Sequence, residues 1–504
     1  MTMRILVTGG SGVVGVGTVT ELVRRGHEVR LLARHARDDV RQWPNGVTPR
    51  EGDVSDAASI AGAAEGCDAV LHIVGIVEES PPKVTFERVN VGGTRNMLAE
   101  SGRAGVRRFV YVSSLGAPQG ESEYHKSKRE AERLVEQFAG NWTICRPGNV
   151  YGPGDEQISV MLRLVRGVSP LMPTIGSGDQ PFQPIWWEDL ARALATVVER
   201  DDLAGQVLEL AGAETTSQND LHERMSRITG RDVQSVPVPE MLAKLTAKAV
   251  SMVGWKIPFS ESELQMLHEG NTIRDGQANA LIETLRITPT PLDEGLRKLA
   301  DQQPEQLPSE GIGTLKRKRF WADIVGGRHS PESLFNLFRT RFDDVTPVFV
   351  DAKAEPRTSD VLEEGETVTL ALPMRGHVQV RVAAVEPRRV TLLTLEGHPL
   401  AGAVRFLCEP RGDAVRFLVE VYDRPANLID FIAMRALGDR LQEHTWSHVV
   451  EKMLEISGGK AREGVQSETA SLDEQEAAAI DTWVKELVVR RKRRSADERT
   501  AASQ

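Results

Sequence analysis

The sequence predicts an α/β fold, a doubly wound parallel sheet carrying a small helical lobe, followed by an α+β domain. Three observations favour it. Through about residue 300, short apolar runs rich in branched residues alternate with helical patterns, which is typical of buried parallel strands joined by helices. A glycine-rich turn joins the first strand to the first helix. Beyond a polar stretch at 301–316, longer alternating strands precede one long helical pattern.

The composition is that of a globular chain with several domains. The chain has 504 residues, of which 40% are hydrophobic and 27% charged, and this length suggests roughly three domains. A net charge of −10 argues against broad nucleic-acid binding. Cys67, Cys145 and Cys408 lie far apart without metal-ligand spacing, so we expect buried thiols in a reducing, cytoplasmic setting. We expect neither a signal peptide nor a transmembrane segment.

The turn after the strand at 5–7 has the composition of a phosphate-binding loop. Its letters fit T-G-x-x-G-x-x-G from Thr8 and G-x-G-x-x-G from Gly10, and a helix is expected over 16–25. Glycine is needed because a Cβ would block both the sharp turn and the approach of backbone N–H groups to a pyrophosphate. The predicted ligand is a dinucleotide held by Gly9, Gly12, Val13, Val14 and Gly15. The alternative is a glycine turn that binds nothing.

The second strand, at 28–33, ends at Arg34. An acidic residue near this point binds the ribose hydroxyls of NAD, whereas an arginine can pair with the additional phosphate of NADP. Arg34 therefore favours NADP. Asp38 and Asp39 lie slightly further along and keep NAD open.

Candidate catalytic residues follow the strand at 108–112, which ends at Ser113 and Ser114. Open parallel sheets place their chemistry at this carboxyl edge. Tyr124 and Lys128 are four residues apart, so on a helix they share one face. A phenol has an ordinary pKa of about 10, and a nearby positive charge lowers it. We therefore predict that Lys128 and an oxidised nicotinamide together lower the pKa of Tyr124, and that Tyr124 transfers a proton.

The ordered set of glycine loop, Tyr/Lys pair and the segment R-P-G-N-V-Y-G-P-G at 146–154 resembles the extended and atypical short-chain dehydrogenase/reductase family, the NAD-dependent epimerase/dehydratase superfamily with a Rossmann fold. Over residues 1–300 the sequence is similar to the branch that includes the nucleotide-binding accessory subunit of respiratory complex I.

The resemblance implies a role for each matching residue. Ser114 would polarise the substrate oxygen, Tyr124 would transfer the proton, and Lys128 would hold the ribose and tune Tyr124. The remaining cofactor contacts implied by the family are Asp53, Val54, Val74, Gly75, Pro147 and Val150. One feature departs from the family, because the connection at 115–123 is much shorter than usual. Such a connection could misplace Tyr124.

The rest of the first domain is expected to cover the substrate. Residues 217–300 have a mainly helical pattern and would form the substrate lobe, which includes an apolar helix at 240–255. The apolar face of that helix would pack inward, with an interfacial membrane helix as the alternative. Trp186 and Trp187 would line the substrate pocket or pack in the core.

The linker at 301–316 would lead to a second domain at 317–460 and a tail at 461–504. Strands are predicted at 367–372, 378–385, 390–395, 403–409 and 414–421, with helices near 330–341 and 427–456. This order resembles the START-like helix-grip fold, and the segments at 395–402, 416–417 and 424–425 resemble an uncharacterised bacterial branch of it. Such folds enclose an apolar cavity, which implies an apolar ligand. We expect no metal, since His444 and His448 have the spacing of a zinc pair but no further ligand.

In the tail, Ser471 to Glu474 forms a capping box for a short helix that runs towards the basic cluster at 490–494, before a disordered end. We interpret the cluster as a solvated helix end stabilised by the helix dipole. Peripheral contact with anionic lipid or nucleic acid is the alternative.

Two functions fit the sequence. The first is an NADP(H)-dependent oxidoreductase, with NAD as the other cofactor, acting on a small-molecule carbonyl, quinone or sugar-nucleotide-like substrate. The second is a non-catalytic NAD(P)(H)-binding sensor or scaffold with a lipid-like ligand in the second domain. The catalytic hypothesis requires the oxygens of Ser114 and Tyr124 to reach one point.

Overall fold

A computed structural model describes residues 2–43, 45–238, 271–347, 350–357, 359–372, 375–433 and 439–501. The predicted helix at 240–255 lies outside these ranges. In chain order, the elements before residue 302 are β1 (Arg4–Thr8), α1 (Val13–Arg24), β2 (Glu28–Ala33), α2 (Ala36–Asp39), β3 (Val47–Glu51), β4 (Ala69–His72), α3 (Gly93–Arg103), β5 (Arg108–Val112), α4 (Glu123–Val135), β6 (Asn141–Pro147), β7 (Val150–Tyr151), α5 (Ile158–Arg166), β8 (Leu171–Ile175), β9 (Ile185–Trp186), α6 (Trp187–Glu199), β10 (Gln206–Leu210), α7 (Gln218–Thr229), β11 (Gln234–Val238), α8 (Ala280–Glu283) and α9 (Leu292–Asp301).

Seven parallel strands form the central sheet, in the order β10, β6, β5, β4, β1, β2, β3. Side chains alternate between the two faces of each strand. Ile5 and Val7 pack in one cluster with residues of α1 and α6, while Leu6 packs in another with residues of α3 and α4. Helices therefore cover both faces, which confirms the predicted doubly wound sheet.

The order of connection reverses between β1 and β4, and this opens a cleft at the carboxyl ends of the strands. α1 begins at Val13, three residues before its predicted start, since the Val16 amide already donates to the Gly12 carbonyl at 2.9 Å. The prediction placed the start of α1 too late because it relied on the spacing of apolar residues, whereas the backbone hydrogen bonds of the helix begin at the glycine turn. The lobe expected over 217–300 is helical in α7, α8 and α9, whereas much of 271–291 is irregular.

The second domain contains an antiparallel sheet and long helices. Its elements are β12 (Lys316–Val325), α10 (Pro331–Thr340), α11 (Phe342–Val345), β13 (Thr367–Leu372), β14 (Gly376–Glu386), β15 (Arg389–Thr394), β16 (Leu400–Arg411), β17 (Ala414–Pro425), α12 (Leu428–Ala433), α13 (Asp439–Ser457), β18 (Lys460–Ala461), β19 (Gln466–Ser471) and α14 (Glu474–Ala501). The sheet order is β13, β14, β15, β16, β17, β12, β18, and β19 also pairs with β12.

The five strands predicted for this domain are present, but β12 and β19 were not predicted. β12 begins with four consecutive basic residues, and its buried Lys318 pairs with Asp423 on β17 at 3.1 Å and also donates to Gln442. β19 is mostly polar, and its pairing with β12 keeps it in the sheet. The START-like assignment stays a prediction.

Aromatic side chains occupy the space between the sheet and the helices of this domain. Phe338 on α10 lies at the centre, with its ring centroid 4.6 Å from that of Phe406 and 5.5 Å from that of Phe417. Phe335 and Phe342 extend the cluster, and all five rings are buried. This packing does not favour the predicted apolar ligand, which stays a prediction.

The segment predicted as a tail is joined to the second domain. α14 packs its Val484 against Ala383, Leu393 and Ala403 on the sheet. Asp473 and Glu476 form the reciprocal cap of this helix, with their side chains accepting from each other's backbone amides at 2.8 and 3.0 Å. The predicted cap two residues earlier is wrong because Ser471 still belongs to β19.

α14 contains 28 residues, so the predictions of a short helix and a disordered end are wrong for the residues described. The basic cluster is also not a simple solvated end. Arg491 pairs with Glu305 at 2.5 Å and Arg494 with Glu364 at 3.0 Å. Both pairs attach the end of the helix to other parts of the chain.

The two domains meet through charged side chains. At the end of α5, the buried guanidinium of Arg166 donates to both carboxylate oxygens of Glu355, at 2.8 and 2.5 Å, and to Gln379 at 2.8 Å. Arg163 on the same helix pairs with Glu396 at 2.7 Å. The predicted linker is thus flanked by direct contacts between the domains.

The described residues were also expected to contain no membrane-spanning segment, no metal site and only buried cysteine thiols. None of the described helices is both long enough and apolar enough to cross a membrane. Within the described ranges, no group of three or more His, Cys, Asp and Glu side chains could hold a metal. The three cysteines are buried and free.

Candidate functional site

A cavity of about 830 Å³ lies at the carboxyl ends of the central strands. Its lining includes every residue that the sequence assigned to cofactor binding or catalysis. These residues are Gly9, Gly12, Val13, Val14, Gly15, Arg34, Asp53, Val54, Val74, Gly75, Ser114, Tyr124, Lys128, Pro147 and Val150. Positions separated by up to 141 residues are therefore brought to one cleft.

The glycine loop has the geometry that the motif requires. Gly9 adopts a left-handed backbone with φ of +70°, and a Cβ there would meet the Val74 backbone nitrogen at 2.9 Å. At Gly15, a Cβ would meet the Gly9 carbonyl oxygen at 2.1 Å, so α1 can approach the turn only without a side chain. The N-terminus of α1, capped by Gly12 and without acidic residues in its first turn, thus faces the cavity. Such an N-terminus is suited to a pyrophosphate.

At the end of β2 the cavity is bordered by Arg34, His35 and Asp39. Arg34 and His35 are exposed, while Asp39 is half-buried. Burial raises the pKa of Asp39, against the hydrogen bond that Ser11 of the glycine loop makes to this carboxylate. A carboxylate and an arginine both stand where an adenosine ribose is expected, so the geometry leaves NAD and NADP open.

Asp53 and Val54 lie in the turn that follows β3, at the edge of the cavity. The Asp53 carboxylate accepts from the Ser55 backbone amide at 2.9 Å and from its hydroxyl at 2.8 Å. The Val54 carbonyl accepts from the side chain of Asn96 at 2.8 Å. Both residues line the cavity, and the Asp53 side chain shapes the turn.

Ser114 and Tyr124 both line the cavity, and the serine hydroxyl lies close enough to the phenol to oppose the rise that burial causes in the pKa of Tyr124. The short connection at 115–123 therefore does not separate them. It closes because His125 packs directly over Gly116, where a Cβ would meet the imidazole Nε2 at 2.3 Å. Ser122 caps α4 by accepting from the His125 amide at 3.3 Å, which starts the helix immediately before Tyr124.

The pKa of Tyr124 is raised by the protein that surrounds it. Burial raises the pKa of Tyr124 to about 12, although the Ser114 hydroxyl opposes this rise. Lys128 was expected to lower it, but its Nζ lies 6.0 Å from the Tyr124 ring centroid and 5.2 Å from that of Tyr111. The loss of water around the phenol outweighs the charge of the lysine in this structure.

Lys128 is itself buried and donates to the Val112 carbonyl at 3.0 Å. Burial lowers the pKa of Lys128 to about 8, partly offset by Glu132. The ammonium lies next to Gly75, where a Cβ would be 2.7 Å from Nζ and the lysine side chain would have to shift. A buried lysine of lowered pKa beside a phenol is typical of functional sites.

Sequence reasoning missed a chain of amide side chains at the cavity wall. Asn271 donates to the Asn149 side chain at 2.8 Å, and Asn149 donates to that of Gln157 at 2.9 Å. All three residues line the cavity. Asn149 stands in the proline segment, but no local pattern connects it to a residue 122 positions away.

Trp186 and Trp187 pack in the core, the second of the two roles that the sequence allowed. They are 1% and 6% exposed and belong to the cluster that contains Tyr151, whose ring centroid lies 5.1 Å from that of Trp186. Neither is among the residues that line the cavity. His72 is likewise buried in the core, with hydrogen bonds to Thr8 at 2.7 Å and to Thr94 at 3.2 Å.

Comparisons with known proteins agree with this site. Residues 5–211 match the model of the NAD dependent epimerase/dehydratase family. A 3 beta-hydroxysteroid dehydrogenase/Delta 5-->4-isomerase of Mycobacterium tuberculosis is 36% identical over 188 residues, covering 30% of this chain and 48% of the relative. The mitochondrial NADH dehydrogenase [ubiquinone] 1 alpha subcomplex subunit 9 of Arabidopsis thaliana is 26% identical over 261 residues, covering 50% of this chain and 64% of the relative.

The chain thus spans about half to two thirds of the length of these curated relatives. Among solved structures, MoeE5 in complex with UDP-glucose and NAD is 23% identical, with a TM-score of 0.45, covering 59% of this chain and 97% of that protein. The parallel sheet, the glycine loop and the family match coincide over the same residues. The match to the NAD dependent epimerase/dehydratase family model thus spans the part of this chain, residues 5–211, that contains the parallel sheet and the glycine loop.

Proposed function

We propose that this protein is an NAD(P)(H)-dependent oxidoreductase that interconverts a carbonyl and an alcohol, with NADP(H) as the preferred cofactor. The observation that carries the proposal is that the side chains of Ser114, Tyr124 and Lys128 line the same cavity as the glycine loop, with the serine close enough to the phenol to affect its pKa. Two hydroxyl groups that lie close together can both contact a single substrate oxygen.

The cavity fits a dinucleotide. The absent Cβ atoms at Gly9 and Gly15 leave backbone amides open to a pyrophosphate, Arg34 stands near the expected ribose 2′ position, and Lys128 would hold the second ribose. When bound, a nicotinamide cofactor supplies or accepts a hydride.

Side chains of this protein would bind the substrate oxygen and transfer the proton. Ser114 would donate a hydrogen bond to the substrate oxygen, and Tyr124 would give its proton to that oxygen as the carbonyl is reduced. A pKa of about 12 keeps Tyr124 protonated at neutral pH. Reduction of a carbonyl would consume this proton, and oxidation of an alcohol would return a proton to the phenolate.

The substrate class is a small carbonyl compound, with quinones and sugar-nucleotide-like molecules as the further candidates. The names of the relatives support a ketone on an alicyclic ring, since one of them is a 3 beta-hydroxysteroid dehydrogenase. The chain of amides from Gln157 to Asn271 would hydrogen-bond polar groups of such a substrate.

The proposal can be tested in two steps on the full chain. Titration with NADPH and with NADH, followed by fluorescence and thermal shift, tests whether the cavity binds a dinucleotide. Oxidation of NADPH is then followed with a panel of cyclic ketones, quinones and nucleotide-sugar ketones. Absence of binding by both dinucleotides would refute the proposal.

The variant Tyr124→Phe tests the assigned proton donor. Loss of a general acid reduces turnover by about 10²- to 10⁴-fold. Tyr422→Phe is the matched control, because it removes a phenolic hydroxyl from the second domain and should leave turnover unchanged. Equal turnover in Tyr124→Phe and the native chain would show that the mechanism is wrong. Binding without turnover on the whole panel would favour the sensor or scaffold.

A further inference from the structure

The helix α14 extends from the second domain to the side of the dinucleotide-binding cavity. It packs against α1 and against the turn Val40–Gln42, which follows α2. Glu486 forms an ion pair with Arg41 of that turn. Further along the helix, the pair between Arg491 and the buried Glu305 fixes its position. The residues next to Arg491 are thus held close to the first domain.

Lys492 follows Arg491 on the helix that packs against the turn beginning at Val40, the residue after Asp39. The charge of Lys492 lowers the pKa of Asp39, although burial raises that pKa overall. Asp39 lines the cavity beside Arg34 and His35, and its carboxylate is hydrogen-bonded to Ser11 of the glycine loop. The field of a residue from the second domain therefore reaches the wall of the cavity.

This corner is where the adenosine ribose of a dinucleotide is expected, beyond the carboxyl end of the second strand. A 2′-phosphate brings close to two negative charges there, and the carboxylates of Asp38 and Asp39 repel it. Arg37 contributes little, because Glu51 pairs with it at 3.5 Å. His35 and Lys492 are the positive charges that lower the pKa of Asp39 against the effect of burial, and Arg34 borders the same part of the cavity.

We propose that Lys492 is a specificity-determining residue, through which the second domain completes the site for the 2′-phosphate of NADP(H). The inference rests on the proposed function, since it assumes that the cavity binds a dinucleotide. In this arrangement Lys492 offsets the charge of Asp39 and attracts the phosphate. The 2′-hydroxyl of NAD(H) carries no charge and gains nothing from it.

The test compares dissociation constants of NADPH and NADH for the full chain and two variants, Lys492→Ala and Lys485→Ala. Lys485 is the matched control, because it lies on the same helix but pairs with Asp481 at 2.7 Å. Lys492→Ala should weaken NADPH binding by about three- to five-fold, as for a partly exposed ion pair. NADH binding should not change, and the effect on NADPH should shrink at high ionic strength.

The reciprocal variant Asp39→Asn should strengthen NADPH binding relative to NADH, because it removes the opposing charge. The inference is overturned if Lys492→Ala and Lys485→Ala behave alike, or if Lys492→Ala weakens both dinucleotides equally. It is also overturned if the native chain prefers NADH. Normal binding with no effect of Lys492 contradicts this inference alone, whereas absence of all dinucleotide binding contradicts the proposed function as well.

Discussion

Lys128 should destabilise the fold that contains it. Burial lowers the pKa of Lys128 from 10.5 to about 8, and its side chain is almost inaccessible, with the residue 3% exposed. At 1.36 kcal/mol for each tenfold change in the proton equilibrium, the buried ammonium costs the folded state about 3 kcal/mol at neutral pH. A cost of this size at a cavity wall is expected of a residue retained for function.

The variant Lys128→Met removes the charge and keeps a long, unbranched side chain. It also loses the hydrogen bond to the Val112 carbonyl, worth about 1 kcal/mol, so a net gain of about 2 kcal/mol is expected. The pKa of Lys128 is lower in the folded chain than in the unfolded chain. The cost to the stability of the folded state is therefore complete below pH 8 and disappears as the pH rises towards 10.5. The gain in stability should therefore be largest at neutral pH, while turnover is lost.

Thermal unfolding without dinucleotide, at pH 7 and near pH 10, measures this effect. At about 2–4 °C for each kcal/mol, the Tm of the variant should rise by several degrees at pH 7. If the two domains unfold in separate transitions, the transition whose Tm rises when NADPH is added to the native chain is that of the first domain. Lys126→Met is the control, since Lys126 is 43% exposed and pairs with Glu123 on the surface. A variant less stable than the native chain at pH 7, or a difference independent of pH, would refute the reasoning.

Two further predictions concern the glycine loop and the contact between the domains. Gly15→Ala should abolish dinucleotide binding in titrations, because its Cβ would lie 2.1 Å from the Gly9 carbonyl oxygen. Gly102→Ala is the control, since a Cβ at this position on α3 meets no atom within 4 Å, and this variant should bind the dinucleotide normally. Loss of binding in Gly102→Ala would contradict the steric explanation. Arg166→Met should lower the free energy of unfolding by about 3–5 kcal/mol, since it leaves the buried Glu355 without its main partner. Denaturant unfolding measures this change in the free energy of unfolding. Adding Glu355→Gln to Arg166→Met should recover part of the lost stability. Equal stability of the native chain, the single variant and the double variant would show that the Arg166–Glu355 pair does not stabilise the fold.

Local patterns accounted for much of the fold. The apolar strands, the glycine turn and the four-residue spacing of Tyr124 and Lys128 predicted the parallel sheet and the members of the cavity, because each depends on neighbours along the chain. β12 was not predicted, since its buried Lys318 needs a partner on β17, 105 residues away. The chain of amides ending at Asn271 was missed for the same reason.

Other features depend on how the elements meet. The pKa of Tyr124 could not be predicted from the adjacent lysine, because desolvation by surrounding elements exceeds the effect of one charge. The basic cluster at 490–494 suggested a solvated end, whereas Glu305 and Glu364 from distant segments pair with two of its members. Such pairs have no signature in sequence spacing.

The sequence by itself determined the class of the first domain, its glycine loop and the residues at the carboxyl edge of its sheet. These features follow from backbone conformation and side-chain periodicity, which nearby residues control. Only the tertiary structure decided that Ser114 lies close to Tyr124 across a short connection, that burial controls the protonation of the site, and that α14 brings Lys492 to the first domain. Burial and electrostatic fields are set by every segment that packs around a group, and so they exist only once the chain has folded.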